Sequence, residues 1–102
     1  MTEQDLIQKF PEMKDAWKSI VYYEGYAYFT HYIEDRPNDW KYEMTWITYR
    51  VKADGSGEVE RFGVTDKEAD PDGEKITKQE YKDEDIFRAI KSAYGKDIFF
   101  AK

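Results

Sequence analysis

The stretch WKYEMTWITYRVKADGSGEVERFGV, which runs from Trp40 to Val64, predicts two β-strands joined by a tight turn. Its first half is rich in aromatic and β-branched residues, which favour extended structure. The segment ADGSG (Ala53–Gly57) supplies the glycine and aspartate that turns need. We therefore expect Trp40–Lys52 and Glu58–Val64 to form the hairpin that organises the fold.

Charge pairing selects the register of this hairpin. A two-residue Asp54-Gly55 turn would place Arg50 opposite a valine. A loop of odd length instead places Arg50 opposite Glu60 and Lys52 opposite Glu58, with two valines facing each other between them. Each such cross-strand pair is worth about 0.2–1 kcal/mol. We therefore expect the odd-length loop.

Upstream of the hairpin, YAYFTHYI (Tyr26–Ile33) has the alternation of a further strand, and a polar loop (Glu34–Asp39) follows it. Before this strand, apolar residues recur every three or four positions, as on one face of a helix. Pro11 falls within that stripe, and proline is tolerated at a first helical position but not inside a helix. We expect either a short helix that breaks at Phe10 and a second from Pro11 to about Tyr22, or one kinked helix. The stripe consists of Leu6, Phe10, Met13, Trp17 and Ile20.

Downstream of the hairpin, the sequence predicts an acidic loop that leads into a second helix. Thr77 and Glu80 have the spacing of a capping box. Ile76 and Tyr81 stand at the two positions of a hydrophobic staple. The helix is therefore expected to begin near Thr77.

The second helix is expected to reach Tyr94, since Gly95 supplies a C-terminal stop, and Lys96–Lys102 is apolar enough for a last strand. The order α-β-β-β-α-β predicts an α+β fold. In it, an antiparallel sheet of three to four strands packs with an N-terminal helix, broken near Pro11, and a C-terminal helix. The whole chain, residues 1–102, is expected to be a single α+β domain.

Composition narrows the classes of function. The chain carries a net charge of −6 and no cysteine, which excludes a disulfide framework and thiol chemistry. No cationic track for nucleic acid is visible. The order helix–three strands–helix is similar to that of double-stranded-RNA-binding domains in topology alone, because TKQEYKDEDIF stands where that family has a lysine-rich helix start. No signal peptide and no apolar run of about 20 residues is present, so we expect a cytoplasmic protein that does not bind membranes.

The stretch EADPDGEKITKQE (Glu68–Glu80) raises the question of a calcium loop. With Gly73 at loop position 6, acids fall at positions 1, 3 and 5, but position 12 is Gln79, which lacks the bidentate carboxylate that calcium loops require. Pro71 stiffens position 4. We interpret the stretch as an acidic turn and expect no metal and no cofactor.

His31 is the sole histidine and shares a strand face with Phe29 and Ile33. A catalytic histidine needs a nucleophile or an orienting acid, and no such constellation can be assembled from the sequence. We therefore expect a structural histidine and a protein that is not an enzyme. The alternative is a small-molecule-binding or enzymatic pocket that uses His31 and tyrosine hydroxyls.

Apolar side chains are expected on both faces of the sheet, so each face must be covered by a helix, by a second copy of the chain or by a partner. Tyrosine and tryptophan are the residues that concentrate binding energy at interfaces. The sequence therefore predicts a small acidic protein-binding module, of the inhibitor, immunity or anti-defence type, with a protein partner that is basic. A homodimeric domain is the other alternative. The expected partner-binding residues are Tyr28, Tyr42, Trp46, Asp70 and Asp72.

Overall fold

The computed structural model describes residues 1–94 of the chain. Over this range the fold is α+β, with a five-stranded antiparallel sheet in the order β1-β2-β3-β4-β5. The expected fold class is confirmed, although the sheet has two more strands before the second helix than the sequence predicted. The expected last strand (Lys96–Lys102) and the stop at Gly95 lie outside the described residues. The elements are helix α1 (Glu3–Lys9), a 3₁₀ helix (Pro11–Asp15), β1 (Val21–Tyr23), β2 (Tyr26–Asn38), β3 (Lys41–Lys52), β4 (Glu60–Asp70), β5 (Gly73–Tyr81) and helix α2 (Glu84–Tyr94).

The hairpin predicted from Trp40 to Val64 is present as β3 and β4. Arg50 pairs with Glu60, as the charge argument predicted, and Arg50 Nε lies 2.8 Å from Glu60 Oε1. The strand predicted at Tyr26–Ile33 continues to Asn38 as β2. The polar stretch expected to be a loop therefore extends the sheet.

The helix expected from Pro11 to about Tyr22 is wrong beyond Asp15. Ala16 takes an extended conformation and Lys18 has a positive φ of 65°, so the helix does not continue through these residues. The Trp17 amide then donates to the carbonyl of Thr30 on β2, at 2.6 Å. The apolar stripe is divided as a result, since Trp17 packs on one face of the sheet and Ile20 on the other.

The capping box expected at Thr77 is also wrong, because residues 73–81 form β5. Thr77 is the extra residue of a bulge between β5 and β4. The helix α2 begins at Glu84 instead, after Asp83, whose side-chain oxygen accepts from the Ile86 amide at 3.0 Å. Asp83 is therefore the N-cap.

The core has two parts, one on each face of the sheet. On one face, here called the α2 face, α2 contributes Ile90 and Tyr94 to a cluster with Tyr28, Trp46 and Phe62. The other face, the α1 face, is covered by α1 and the 3₁₀ helix. Its buried residues are Leu6, Phe10, Met13, Ala27, Phe29 and Val51.

Both parts of the core lie towards the same end of the sheet, where the β1–β2 and β3–β4 connections are found. The β2–β3 and β4–β5 turns lie at the opposite end, which we call the distal end. There, residues 33–37 and 70–75 are exposed. The sheet therefore extends beyond its helical cover on the α1 face.

Candidate protein-interaction surface

Two of the expected partner-binding residues lie inside the protein's own core. Tyr28 has no exposed surface, and its hydroxyl accepts a hydrogen bond from Arg50 Nη1 at 3.2 Å. Trp46 is 4% exposed and packs between the rings of Trp17 and Tyr32. The expectation that these two rings face a partner is corrected by their burial, since α2 and the segment after the 3₁₀ helix occupy that side of the sheet.

The other three expected residues are brought together at the distal end. Tyr42 is half-buried on β3, with its hydroxyl donating to Glu34 and the Arg36 guanidinium 4.9 Å from its ring centre. Asp70 and Asp72 belong to the β4–β5 turn, where the Asp72 amide donates to Asp70 Oδ1 at 2.9 Å. The strand order places this turn beside the β2–β3 turn.

The two most exposed large apolar side chains of the distal end were not among the residues predicted from the sequence to bind a partner. Trp40 is 66% exposed and Ile33 is 53% exposed. Trp40 stands outside β3 because its amide donates to the side chain of Asn38, which closes a turn one residue before the strand begins. The available signal was the turn-forming pair Asn38-Asp39 directly before it.

Carboxylates dominate the distal end. Residues 34–43 and 66–75 contain nine acidic side chains and four basic ones. Lys41 is held between Glu43 and Glu68, at 3.6 and 3.5 Å. Because cations are outnumbered here, this end of the molecule carries most of the negative charge of the chain.

The pKa of the Tyr32 hydroxyl is raised above its ordinary value. The main cause is burial, which removes the hydroxyl from water, and the second is its hydrogen bond to Glu34. The Tyr32 hydroxyl donates to Glu34 Oε1 at 2.9 Å. Glu34 thus accepts from both Tyr32 and Tyr42, and its carboxylate links two adjacent strands. This contact fixes the α2 face of the sheet next to the distal turns.

His31 has the placement of a structural side chain. Its ring is half-buried between those of Phe29 and Tyr49, at 5.6 and 5.2 Å, and Nε2 donates to the carbonyl of Glu12 at 2.8 Å. That bond ties the 3₁₀ helix to β2.

The stretch Glu68–Glu80, considered above as a metal loop, is the end of β4, a turn and β5. Glu68 and Asp70 share one face of the hairpin, whereas Glu74 lies on the other face, where it forms an ion pair with Lys67 at 2.7 Å. Within residues 1–94, no group of three or more histidine, cysteine or acidic side chains is arranged to hold a metal ion.

None of the helices within residues 1–94 has the length and apolar character needed to cross a membrane. Comparison with protein-family models, with curated proteins and with solved structures finds no match to this chain.

Proposed function

We propose that this chain is a small, acidic, non-enzymatic protein-binding module that engages a basic protein partner through the distal end of its sheet. The observation that carries the proposal is the exposed indole of Trp40 at the end of the molecule where carboxylates are concentrated. We assign the module to the class of small acidic inhibitors, which includes immunity and anti-defence proteins, acting in the cytoplasm.

Exposure supports this choice of surface. Most proteins expose single large apolar side chains, so exposure alone does not indicate an interface. Tryptophan, however, is enriched among the residues that contribute most of the binding energy at interfaces. Within residues 1–94, Trp40 is the most exposed large apolar side chain, and Ile33 ranks third, behind Met1. Both Trp40 and Ile33 belong to the distal end. A partner that covered them would remove both from water.

Charge supports the nature of the partner. An acidic surface accelerates encounter with a basic protein and disfavours acidic ones, while buried aromatic contacts hold the complex together. The distal end offers both, since its carboxylates outnumber its cations and the Trp40 side chain is 66% exposed. The contributions of charge and of the aromatic contact can therefore be measured separately. Added salt weakens the attraction between charges, and substitution of Trp40 removes the aromatic contact.

The proposal is tested by quantitative affinity capture from the cells that make the protein, with three forms of the chain as bait. The double variant Ile33→Ser and Trp40→Ala removes the two most exposed large apolar side chains of the distal end. Tyr23→Ser removes a 37% exposed ring near the β1–β2 turn and is the matched control. Thermal unfolding followed by circular dichroism establishes that all three are folded.

We expect one set of basic proteins to be enriched by the natural chain and by Tyr23→Ser, and lost with the double variant. Capture should also weaken as ionic strength rises, because the carboxylates are exposed and therefore screened. Equal capture by all three baits, or loss with Tyr23→Ser alone, contradicts the proposed surface.

A further inference from the structure

Two aspartates of the chain are followed directly by glycine, Asp54-Gly55 in the β3–β4 connection and Asp72-Gly73 in the β4–β5 turn. In such a pair the aspartate side chain can react with the next backbone amide, because glycine has no side chain to obstruct the approach. The two pairs share this local chemistry and differ in their surroundings. Their surroundings therefore decide which of them reacts in the folded protein.

Asp54-Gly55 is held on both sides of the bond that would form. The Asp54 carboxylate accepts hydrogen bonds from the Ser56 amide and hydroxyl, at 2.9 and 2.7 Å. The Gly55 amide donates to the carbonyl of Lys52 at 2.9 Å, and Gly55 is buried against the Met1 side chain. A reaction at this pair would have to break these hydrogen bonds at a glycine that is shielded from water.

The protonation of Asp54 acts in the same direction. The hydrogen bond from the Ser56 hydroxyl, followed by that from the Ser56 amide, lowers the pKa of Asp54. The protonated carboxyl group is therefore rarer than at an ordinary aspartate near neutral pH. Protonation matters because the carboxyl group loses one of its oxygens as water in the reaction.

Asp72-Gly73, by contrast, is open to solvent. Both residues are exposed, and they line an open depression of about 250 Å³ at the surface of the turn. Within residues 1–94, no hydrogen bond or ion pair holds the Asp72 carboxylate, and nothing lies within 4 Å of the position that a Cβ atom of Gly73 would take. Gly73 pairs with Asp70 at the end of the hairpin, where local opening removes few apolar contacts.

We infer that Asp72 converts spontaneously to isoaspartate in the folded protein, whereas Asp54 is protected. The Gly73 nitrogen attacks Cγ of the protonated Asp72 carboxyl group, so that an N–Cγ bond forms, a Cγ–O bond breaks and one water leaves. Water then opens the succinimide ring. Hydrolysis at Cγ restores aspartate, and hydrolysis at the main-chain carbonyl carbon leaves Gly73 joined to Cγ, which is isoaspartate.

The product has the mass of the natural chain and a different turn. Isoaspartate places one additional methylene carbon in the main chain, and its free carboxylate is the former main-chain carbonyl. The pairing of Asp70 with Gly73 depends on the spacing of the two residues between them, and the longer main chain no longer matches that spacing. The inference does not depend on the proposed function, because the reaction needs only the turn and water.

The test compares the two aspartates within the same molecule. The natural chain is incubated at pH 7 and 37 °C, either folded or unfolded in guanidinium chloride. Isoaspartate at each position is then measured by digestion, liquid chromatography and mass spectrometry with electron-transfer fragmentation. Asp72→Glu is the negative control, because a glutamate would have to close a larger ring. Ser56→Ala removes one of the hydrogen bonds that hold Asp54.

We expect similar rates at both positions in the unfolded chain. In the folded chain, isoaspartate should form at position 72 at least about fivefold faster than at position 54, the ratio that corresponds to two hydrogen bonds of ordinary net strength. Ser56→Ala should raise the rate at Asp54 and leave the rate at Asp72 unchanged. Asp72→Glu should form no isoaspartate in this turn.

Equal rates at the two positions of the folded chain would overturn the inference, as would a faster reaction at Asp54. A folded chain without isoaspartate at position 72, under conditions in which the unfolded chain forms it, would overturn it as well. An unchanged rate at Asp54 in Ser56→Ala would contradict the protection that we assign to the hydrogen bonds from Ser56.

Discussion

Gly63 lies under the ring of Tyr81, and that contact explains why no larger residue stands there. The ring also stacks on Phe87, with 3.8 Å between centroids and an angle of 18°, and its hydroxyl hydrogen-bonds Thr65. A Cβ atom at Gly63 would lie 2.0 Å from Tyr81 Cδ2 and 2.6 Å from the Glu80 carbonyl oxygen. The φ of Gly63 is not positive, so its backbone conformation is open to other residues. The glycine is required because a side chain would not fit.

Gly63→Ala should therefore destabilise the fold by about 1–3 kcal/mol, the usual effect of overpacking. Urea unfolding followed by fluorescence measures the change. In a Tyr81→Ala background the same substitution should cost less, because the ring that it displaces is gone. An alanine at this position that leaves the free energy of unfolding unchanged would contradict the described contact.

Glu60 links two cations, Arg50 and Lys82, at 2.8 and 2.6 Å. The hydrogen bond from Arg50, followed by that from Lys82, lowers the pKa of Glu60 from its ordinary 4.5 to about 2. Because the folded pKa lies below the unfolded one, the stabilisation is complete above the unfolded value and is lost as the pH falls towards 2.

We therefore expect the natural chain to be more stable than Glu60→Gln at pH 7, and this difference to shrink between about pH 5 and pH 2. Urea unfolding of both chains across this range measures it. The effect is modest, since Glu60 is partly exposed and solvent screens the pair. A difference that is independent of pH would show that the carboxylate is not held by its cations.

At the scale of the element, local patterns predicted the strands that are rich in aromatic and β-branched residues and missed the strand that is polar. β2 and β3 were visible from their apolar alternation. β5 was missed because its residues are nearly all polar and exposed, so Thr77 and Glu80 resembled a helix cap. The extended conformation of that segment is set by its pairing with β4 across the Asp70–Gly73 turn. This pairing joins residues that lie as far apart in sequence as Gly63 and Tyr81.

The candidate site was predictable to a similar extent. The acids of the Asp70–Asp72 turn and Tyr42 were identified from charge and composition, and they lie together at the distal end. Tyr28 and Trp46 were assigned to the surface because the sequence of a strand does not say which elements cover each face. Trp40 was missed because it was counted as the first residue of the strand, although the turn-forming pair Asn38-Asp39 directly precedes it and the strand begins at Lys41.

The start of α2 provides a test at this scale. Asp83→Ala should destabilise the protein by about 0.5–2 kcal/mol, because the Ile86 amide loses its side-chain acceptor. Glu84→Ala, one residue later, keeps that bond and is the matched control. Equal effects of both substitutions on urea unfolding would contradict the assignment of Asp83 as the N-cap.

At the scale of the whole molecule, the sheet is longer than its cover. The principal dimensions are 46 × 26 × 20 Å, and the radius of gyration of 14.6 Å exceeds the roughly 13 Å of a compact chain of about 100 residues. The elongation comes from the two hairpins that project to the distal end. The hydrophobic core lies at the other end of the sheet, so binding at the distal end need not disturb the packing that stabilises the fold.

This division predicts a gradient of local stability. Strand amides of residues 27–31 and 46–51 are sandwiched between buried side chains, and those of residues 33–36 and 68–70 have little apolar cover. Local opening takes less free energy where few apolar contacts are lost. Hydrogen exchange followed by mass spectrometry should be slower in the first set. Uniform protection would contradict the division.

The central claim, that the distal end is the surface that meets a partner, is tested most directly by photo-crosslinking in the cells that make the protein. A benzophenone amino acid is placed at Asp39, beside Trp40, or at Tyr23, near the opposite end. We predict a discrete crosslinked adduct from position 39 and none from position 23. An adduct from position 23 alone, or equal adducts from both, would contradict the claim.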